Sequence, residues 1–284
     1  MLTNIIITLA LLLLSFFGLQ RLFTLPKNVW LLFLVQPLVM AASPVIVFIG
    51  GILATSMGAD PALVTLPVTV MILGVASTAI PAALLAQKKG RRFATFTGFM
   101  LGFSGTMLAM FAALNGSFEL LVLASLLFGS CTAFIQQLRF AAIESISDSK
   151  DVPTVLSILM LSGIFSAFLG PEIAVTAKDW LSSPYGYAGS FLFLAGLFLV
   201  AMLLMLNFRD AEIKPSGKHG EIRALSKIIK QPIFIIAILS AAIGFALMSY
   251  LMTATPLSMH HLHGHSLNDT KWVIQSHIAA MFIP

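Results

Sequence analysis

The chain has 284 residues, 58% of them hydrophobic and only 10% charged, with 23 Phe and 14 Met. No single soluble core hides that much apolar surface beneath a wettable exterior, so the solvent for most of the chain is lipid. The net charge of +5 argues little for nucleic acid, because the basic residues sit in short clusters between apolar runs instead of on one face, and the lone Cys131 rules out a disulfide framework or a cysteine metal site within the chain.

A bilayer core of about 30 Å crossed at about 1.5 Å per residue asks for roughly 20 apolar residues. Nine runs answer to that description in whole or part: Leu2–Leu19, Val29–Thr55, Leu63–Ala86, Phe93–Leu114, Phe118–Phe140, Thr154–Ala177, Tyr187–Asn207, Pro232–Thr255 and a cut-off run Lys271–Pro284. None alternates in polarity, so an all-α bundle is expected and not a barrel. The expected organisation is an extra N-terminal anchor helix (1–22), a six-helix half (29–207), a basic linker (208–231) and the start of a second half (232–284).

Lys and Arg orient the runs. One set of alternating loops holds Arg21 and Lys27; Lys88, Lys89, Arg91 and Arg92; Arg139 and Lys150; and Arg209, Lys214, Lys218, Arg223, Lys227 and Lys230. The opposite set holds only Lys178 and Lys271, so the first set is read as cytoplasmic and the protein as a multi-pass component of the bacterial inner membrane. The first run has no basic residue before it and two soon after, which places its start outside and disfavours a cleaved signal; an upstream mis-assigned start is the alternative.

The loop from Gln87 through Lys88, Lys89, Gly90, Arg91 and Arg92, with Ala83 before it, resembles the signature between the second and third helices of the major facilitator superfamily. Gln87 stands where that signature has an acidic residue and Ala83 where it has a glycine. Gly163, Ala167, Gly170 and Pro171 resemble the Gly-Pro-rich motif of the superfamily's antiporter branch, whereas Ser125 replaces the basic residue often found four positions before a glycine such as Gly129. Ala254-Thr255-Pro256-Leu257, the histidine-rich loop after it and His277 are similar to a bacterial subgroup that includes permeases for riboflavin and other small organic solutes. The resemblance implies two six-helix halves around a central cavity, a small organic solute as substrate and a chain that stops at the start of its eighth core helix.

An ionisable side chain at membrane depth costs on the order of 3 kcal/mol, so each one asks for a role. Glu172 is either a proton-coupling carboxylate or an interfacial one paired with Lys178. His277 is a proton carrier, a solute donor or a structural histidine. Gln36, Gln136 and Gln137 are neutral groups able to read a heterocycle or to join helices. Pro37 and Pro44 are expected to bend the first core helix, and Arg139 to snorkel toward Glu144 and Asp148. His260, His261, His263 and His265 have metal-like spacing without a supporting carboxylate, so no metal is assigned to them. No phosphate-binding Gly-Lys loop is present and no cofactor is implied. The expected function is proton-coupled transport of a small organic solute by a monomer in contact with membrane lipids; the alternative is a membrane-embedded enzyme or sensor using Glu172 and His277.

Overall fold

The structure is a computed structural model that describes residues 2–210 and 225–282. The chain folds as α1 (Leu2–Leu22), α2 (Lys27–Met40), α3 (Ala42–Ser56), α4 (Leu66–Lys89), α5 (Arg91–Asn115), α6 (Phe118–Ile135), α7 (Leu138–Glu144), α8 (Val152–Thr176), α9 (Ala188–Met205), the short α10 (Leu225–Ile229), α11 (Pro232–Leu257) and α12 (Leu267–Phe282). Among the described residues, eight spans are long and apolar enough to cross a membrane. Most of the expected linker, 208–231, lies outside the described residues.

Three runs differ from the reading above for local reasons. The first core run is a continuous span, Lys27–Ser56, broken at Ala41 into α2 and α3. Pro44 has no N–H to give the Met40 carbonyl, and the next backbone bond, Val45 N–H to Ala41 O, stretches to 3.4 Å. The run containing Gln136 also divides, into α6 and α7. There Gln137 N–H bonds to Phe134 O and Phe140 N–H to Gln137 O, each 3.0 Å, and these three-residue bonds tighten the helix and leave the Gln136 carbonyl without Phe140. Finally, α12 starts four residues before Lys271. Ser266 Oγ accepts from Asp269 N–H at 3.1 Å while an Asp269 carboxylate oxygen accepts from Ser266 N–H at 3.3 Å, a reciprocal cap that sets the start of the helix.

Small residues bring the helices together, as expected where lipid removes the hydrophobic drive for helix association. Gly74 and Gly129 hold the backbones of α4 and α6 in contact, and Gly98 and Gly102 of α5 receive the rings of Phe134 and Phe198. Gly129 is thus a packing residue, and Ser125, buried beside it, bonds to its own helix at Leu121 O, 2.8 Å. Phe33, Phe48, Phe99, Phe128, Phe191 and Phe198 fill the centre, while Leu73, Ile80, Leu203, Ile233 and Leu247 are exposed.

Candidate functional site

A cavity of about 570 Å³ lies between α2, α3, α4, α6, α7 and α8 on one side and α11 and α12 on the other. Its wall is mainly aliphatic and rich in methionine, with Met40, Met71, Met160, Met248, Met252 and Met281 all facing it. Thioether side chains are unbranched and polarizable, so they adapt to flat or irregular apolar bodies and make favourable contacts with aromatic rings. Polar groups are few: Gln36, Ser43, Thr132, Gln136, Arg139 and Ser166, with Ser249 and Thr253 from α11. The broken first span supplies a large share of this wall, and the break brings Ser43 Oγ within 3.0 Å of Thr132 Oγ1.

Gln36 and Gln136 are both on the wall. The Gln36 amide donates to Leu159 O at 3.0 Å, which ties α2 to α8 and leaves its oxygen free to accept. Gln136 is exposed to the cavity, and Arg139 joins it. Arg139 was expected to pair with Glu144 or Asp148. Instead its Nε donates to Gln136 O at 3.2 Å, the carbonyl released by the tight turn, while Glu144 is already engaged by Arg91. Gln137 points elsewhere, its Oε1 accepting from Arg91 at 3.2 Å, and His277 is half-buried on α12 outside the cavity wall that Ile278, Met281 and Phe282 form.

The loop between α4 and α5, on the side expected to be cytoplasmic, is a tight charged joint. Gly90 has φ of +88°, a conformation that favours glycine, and an added Cβ would meet an Asp210 carboxylate oxygen at 2.6 Å. Asp210 accepts from Arg92 N–H at 2.8 Å at the start of α5, and the Arg92 guanidinium bonds to Leu206 O at 2.9 Å. Arg91 forms a two-pronged pair with Glu144, 2.9 and 2.6 Å. The acid missing at Gln87 is therefore answered by Glu144 at the end of α7 and Asp210 just after α9. Gln87 and Lys88 themselves are exposed.

On the outer side lies the least expected feature. Glu172 is buried on α8, and Lys271 Nζ meets its Oε2 at 2.8 Å, each side chain only 4% exposed. The Asn4 amide of α1 donates to the other carboxylate oxygen, Oε1, at 3.0 Å. Lys178, the partner suggested by sequence proximity, instead lies over the Tyr187 ring at 5.1 Å. Gln275, one turn beyond Lys271, is also buried and donates to Phe168 O at 3.1 Å. Neither Lys271 nor Gln275 was singled out from sequence; the signal available was a lysine followed four residues later by a glutamine in a run otherwise read as spanning. In the histidine loop, His260 bonds to His265 O and His263 to Ser258 O, both 3.0 Å, so two of the four imidazoles serve the turn itself.

Gly170 and Pro171 sit beside this pair. An added Cβ at Gly170 would lie 2.6 Å from Ala41 O, so its bare Cα is what lets α8 press on the break between α2 and α3.

A bundle of apolar spans around a methionine-rich cavity, with a charged cytoplasmic joint and a buried outer ion pair, defines a polytopic inner-membrane protein built around a central solute-sized space. Residues 29–283 match the Major Facilitator Superfamily, and the chain belongs to that family. It is 32% identical over 260 residues to the riboflavin transporter RfnT of Brucella anthropi, covering 91% of this chain and 65% of that protein. It is 30% identical over 251 residues to the uncharacterized MFS-type transporter YdeG of Bacillus subtilis (84% and 58% covered) and 28% identical over 251 residues to YddS of the same organism (83% and 57%). The chain spans roughly three fifths of the length of these curated relatives.

Proposed function

We propose that the protein moves a small organic solute across the inner membrane by alternating access, with the proton gradient as its driving force. The observation that carries this reading is the cavity between α2–α8 and α11–α12, large enough for a drug-sized molecule and lined by helices from both sides of the linker. Its walls favour a solute with a flat apolar body, which the methionines cover, and a polar edge, which Gln36, Gln136 and Arg139 meet with donors and acceptors. A flavin has both features, and the resemblance to RfnT makes riboflavin the first solute to test.

Glu172 is the coupling carboxylate in this reading. A proton on Oε2 would remove the charge that holds Lys271, so protonation and helix separation compete for one site. From α12 the charged group facing Glu172 is Lys271, and from α1 it is met by the neutral Asn4. His277 is not among its partners, so the acid and base pair needed for a membrane-embedded enzyme has no counterpart in these contacts.

The test is flux in proteoliposomes made with the full-length gene product, with and without an imposed proton gradient. The panel runs from riboflavin through other planar heterocycles to aliphatic solutes of the same size. Gradient-dependent movement of a planar solute is expected; a protein that moves none of the panel under any gradient would overturn the reading.

A further inference from the structure

Residues 29–283 carry the family match, yet a residue outside that segment, Asn4 of α1, itself exposed, donates to the buried carboxylate of Glu172. Three helices thus converge on one carboxylate. Each carboxylate oxygen of Glu172 has one partner from another helix, Oε1 from Asn4 and Oε2 from Lys271. Such an arrangement is costly unless it is complete: a buried ion pair recovers its desolvation only with good geometry and further hydrogen bonds.

The pair lies between α8, which precedes the linker, and α12, which follows it. These two helices run antiparallel and meet at three levels. Near the midpoint of α8 the ring of Phe282 packs on the bare Cα of Gly163; further out Gln275 donates to Phe168 O at 3.1 Å; nearest the outer end Lys271 meets Glu172 at 2.8 Å. The contacts therefore change along the seam from apolar to hydrogen-bonded to ionic. The cavity lining on α8 runs from Leu156 to Ser166 and on α12 from Ile278 to Phe282, all on the cytoplasmic side of the ion pair. On these two helices Glu172 and Lys271 thus lie beyond the cavity lining, toward the outer helix ends, while on α4 and α11 the lining itself reaches Val68 and Thr253; Glu172 and Asn4 border a separate, smaller pocket between α1, α8 and α12.

We infer that Glu172 and Lys271, seated by Asn4, form an outer latch between the two halves: it holds the outer side closed and has to break for the cavity to open outward. Lys271 and Asn4 are positioning residues, since neither faces the cavity and both act through Glu172. The Gly163–Phe282 level, which has no directional bond to break, is the fulcrum about which the outer levels separate. The first helix is then part of the device and not a passive anchor. The inference rests on alternating access as proposed above and adds the element that controls it.

The test reads which side the cavity faces. Val47 lines the cavity, and Val47→Cys in the full-length protein with Cys131 and every other native cysteine replaced by alanine reports access from outside to a membrane-impermeant maleimide. Glu172→Gln and Lys271→Gln are expected to speed outside labelling by roughly fivefold or more, since losing even one kcal/mol of closure shifts a two-state balance by about that factor. The charge-swapped E172K/K271E protein is expected to return to within about twofold of the parent, which a merely structural role for either residue does not produce. Asn4→Leu is expected to give an intermediate rate. If a single variant fails to reach the membrane, the neutral pair E172Q/K271Q replaces it, with the same fast labelling expected. Parental labelling in the neutralised variants, or a swap that labels as fast as they do, would overturn the latch; parental labelling in Asn4→Leu would remove α1 from it. Flux of the parent is measured on the same preparations: intact flux with labelling indifferent to the pair sinks the latch alone, whereas no flux sinks the transport reading beneath it.

Discussion

Gly170→Ala is a small change with a large expected effect, and the same change at Gly196 is its control. At Gly170 the added Cβ falls 2.6 Å from Ala41 O and 2.8 Å from Pro44 Cβ. One obstacle is backbone and the other a pyrrolidine ring, so neither can swing aside as a flexible side chain would. Restoring ordinary contact asks α8 to withdraw by about 0.8 Å along its seam with α3, an overpacking error of the kind that costs about 1–3 kcal/mol. At Gly196 a Cβ meets nothing within 4 Å, and there the helix propensity of Ala over Gly favours the variant by up to about 1 kcal/mol. The two substitutions therefore move stability in opposite directions. At about 2–4 °C per kcal/mol, the apparent Tm of the solubilised full-length protein should separate them by roughly 2–16 °C, with Gly170→Ala the lower. Equal melting of the two would refute the close approach of α8 to the helix break.

Further outcomes follow from the joint, the cavity and the coupling site. A double-mutant cycle on Arg91 and Glu144 should give a coupling of at most about 1 kcal/mol that shrinks in high salt, because the two side chains are 20% and 40% exposed; apparent Tm at low and high ionic strength checks it. Asp210→Ala removes the acceptor for Arg92 N–H at the start of α5 and should cost about 1 kcal/mol in the same assay, with Asp210→Asn retaining most of it. Gln136→Leu, facing the cavity without a partner helix to support, should raise KM for a planar solute severalfold with little change in apparent Tm; unchanged KM would take it off the recognition surface. Glu172→Gln should abolish gradient-driven accumulation while leaving solute exchange down its own gradient, and accumulation that persists would remove Glu172 from coupling.

The spans were legible because they depend on local properties. A bilayer selects apolar stretches by length, and the fourteen Lys and Arg on alternate loops give the expected side of each end, whatever the helices later touch. The loop from Gln87 to Arg92 could be placed for the same reason, since a glycine between basic residues at a helix end is a local pattern. Which acid completes that loop could not be read: Glu144 and Asp210 are remote in sequence, and only the packing of α5 against α7 and α9 brings them to Arg91 and Arg92.

The sequence by itself thus determined that this is a polytopic inner-membrane bundle, where its spans begin and end to within a few residues, and that Glu172 is a charge in need of an explanation. The tertiary structure alone decided the partners. Lys271 looks like an outer-loop lysine until Ser266 and Asp269 start α12 early enough to carry it inside, and Lys178, only six residues from Glu172, is drawn off to Tyr187. The physical reason is that insertion into lipid is settled one helix at a time, whereas a buried charge is settled by whichever donors helix packing delivers, here from α1 and α12 at opposite ends of the chain.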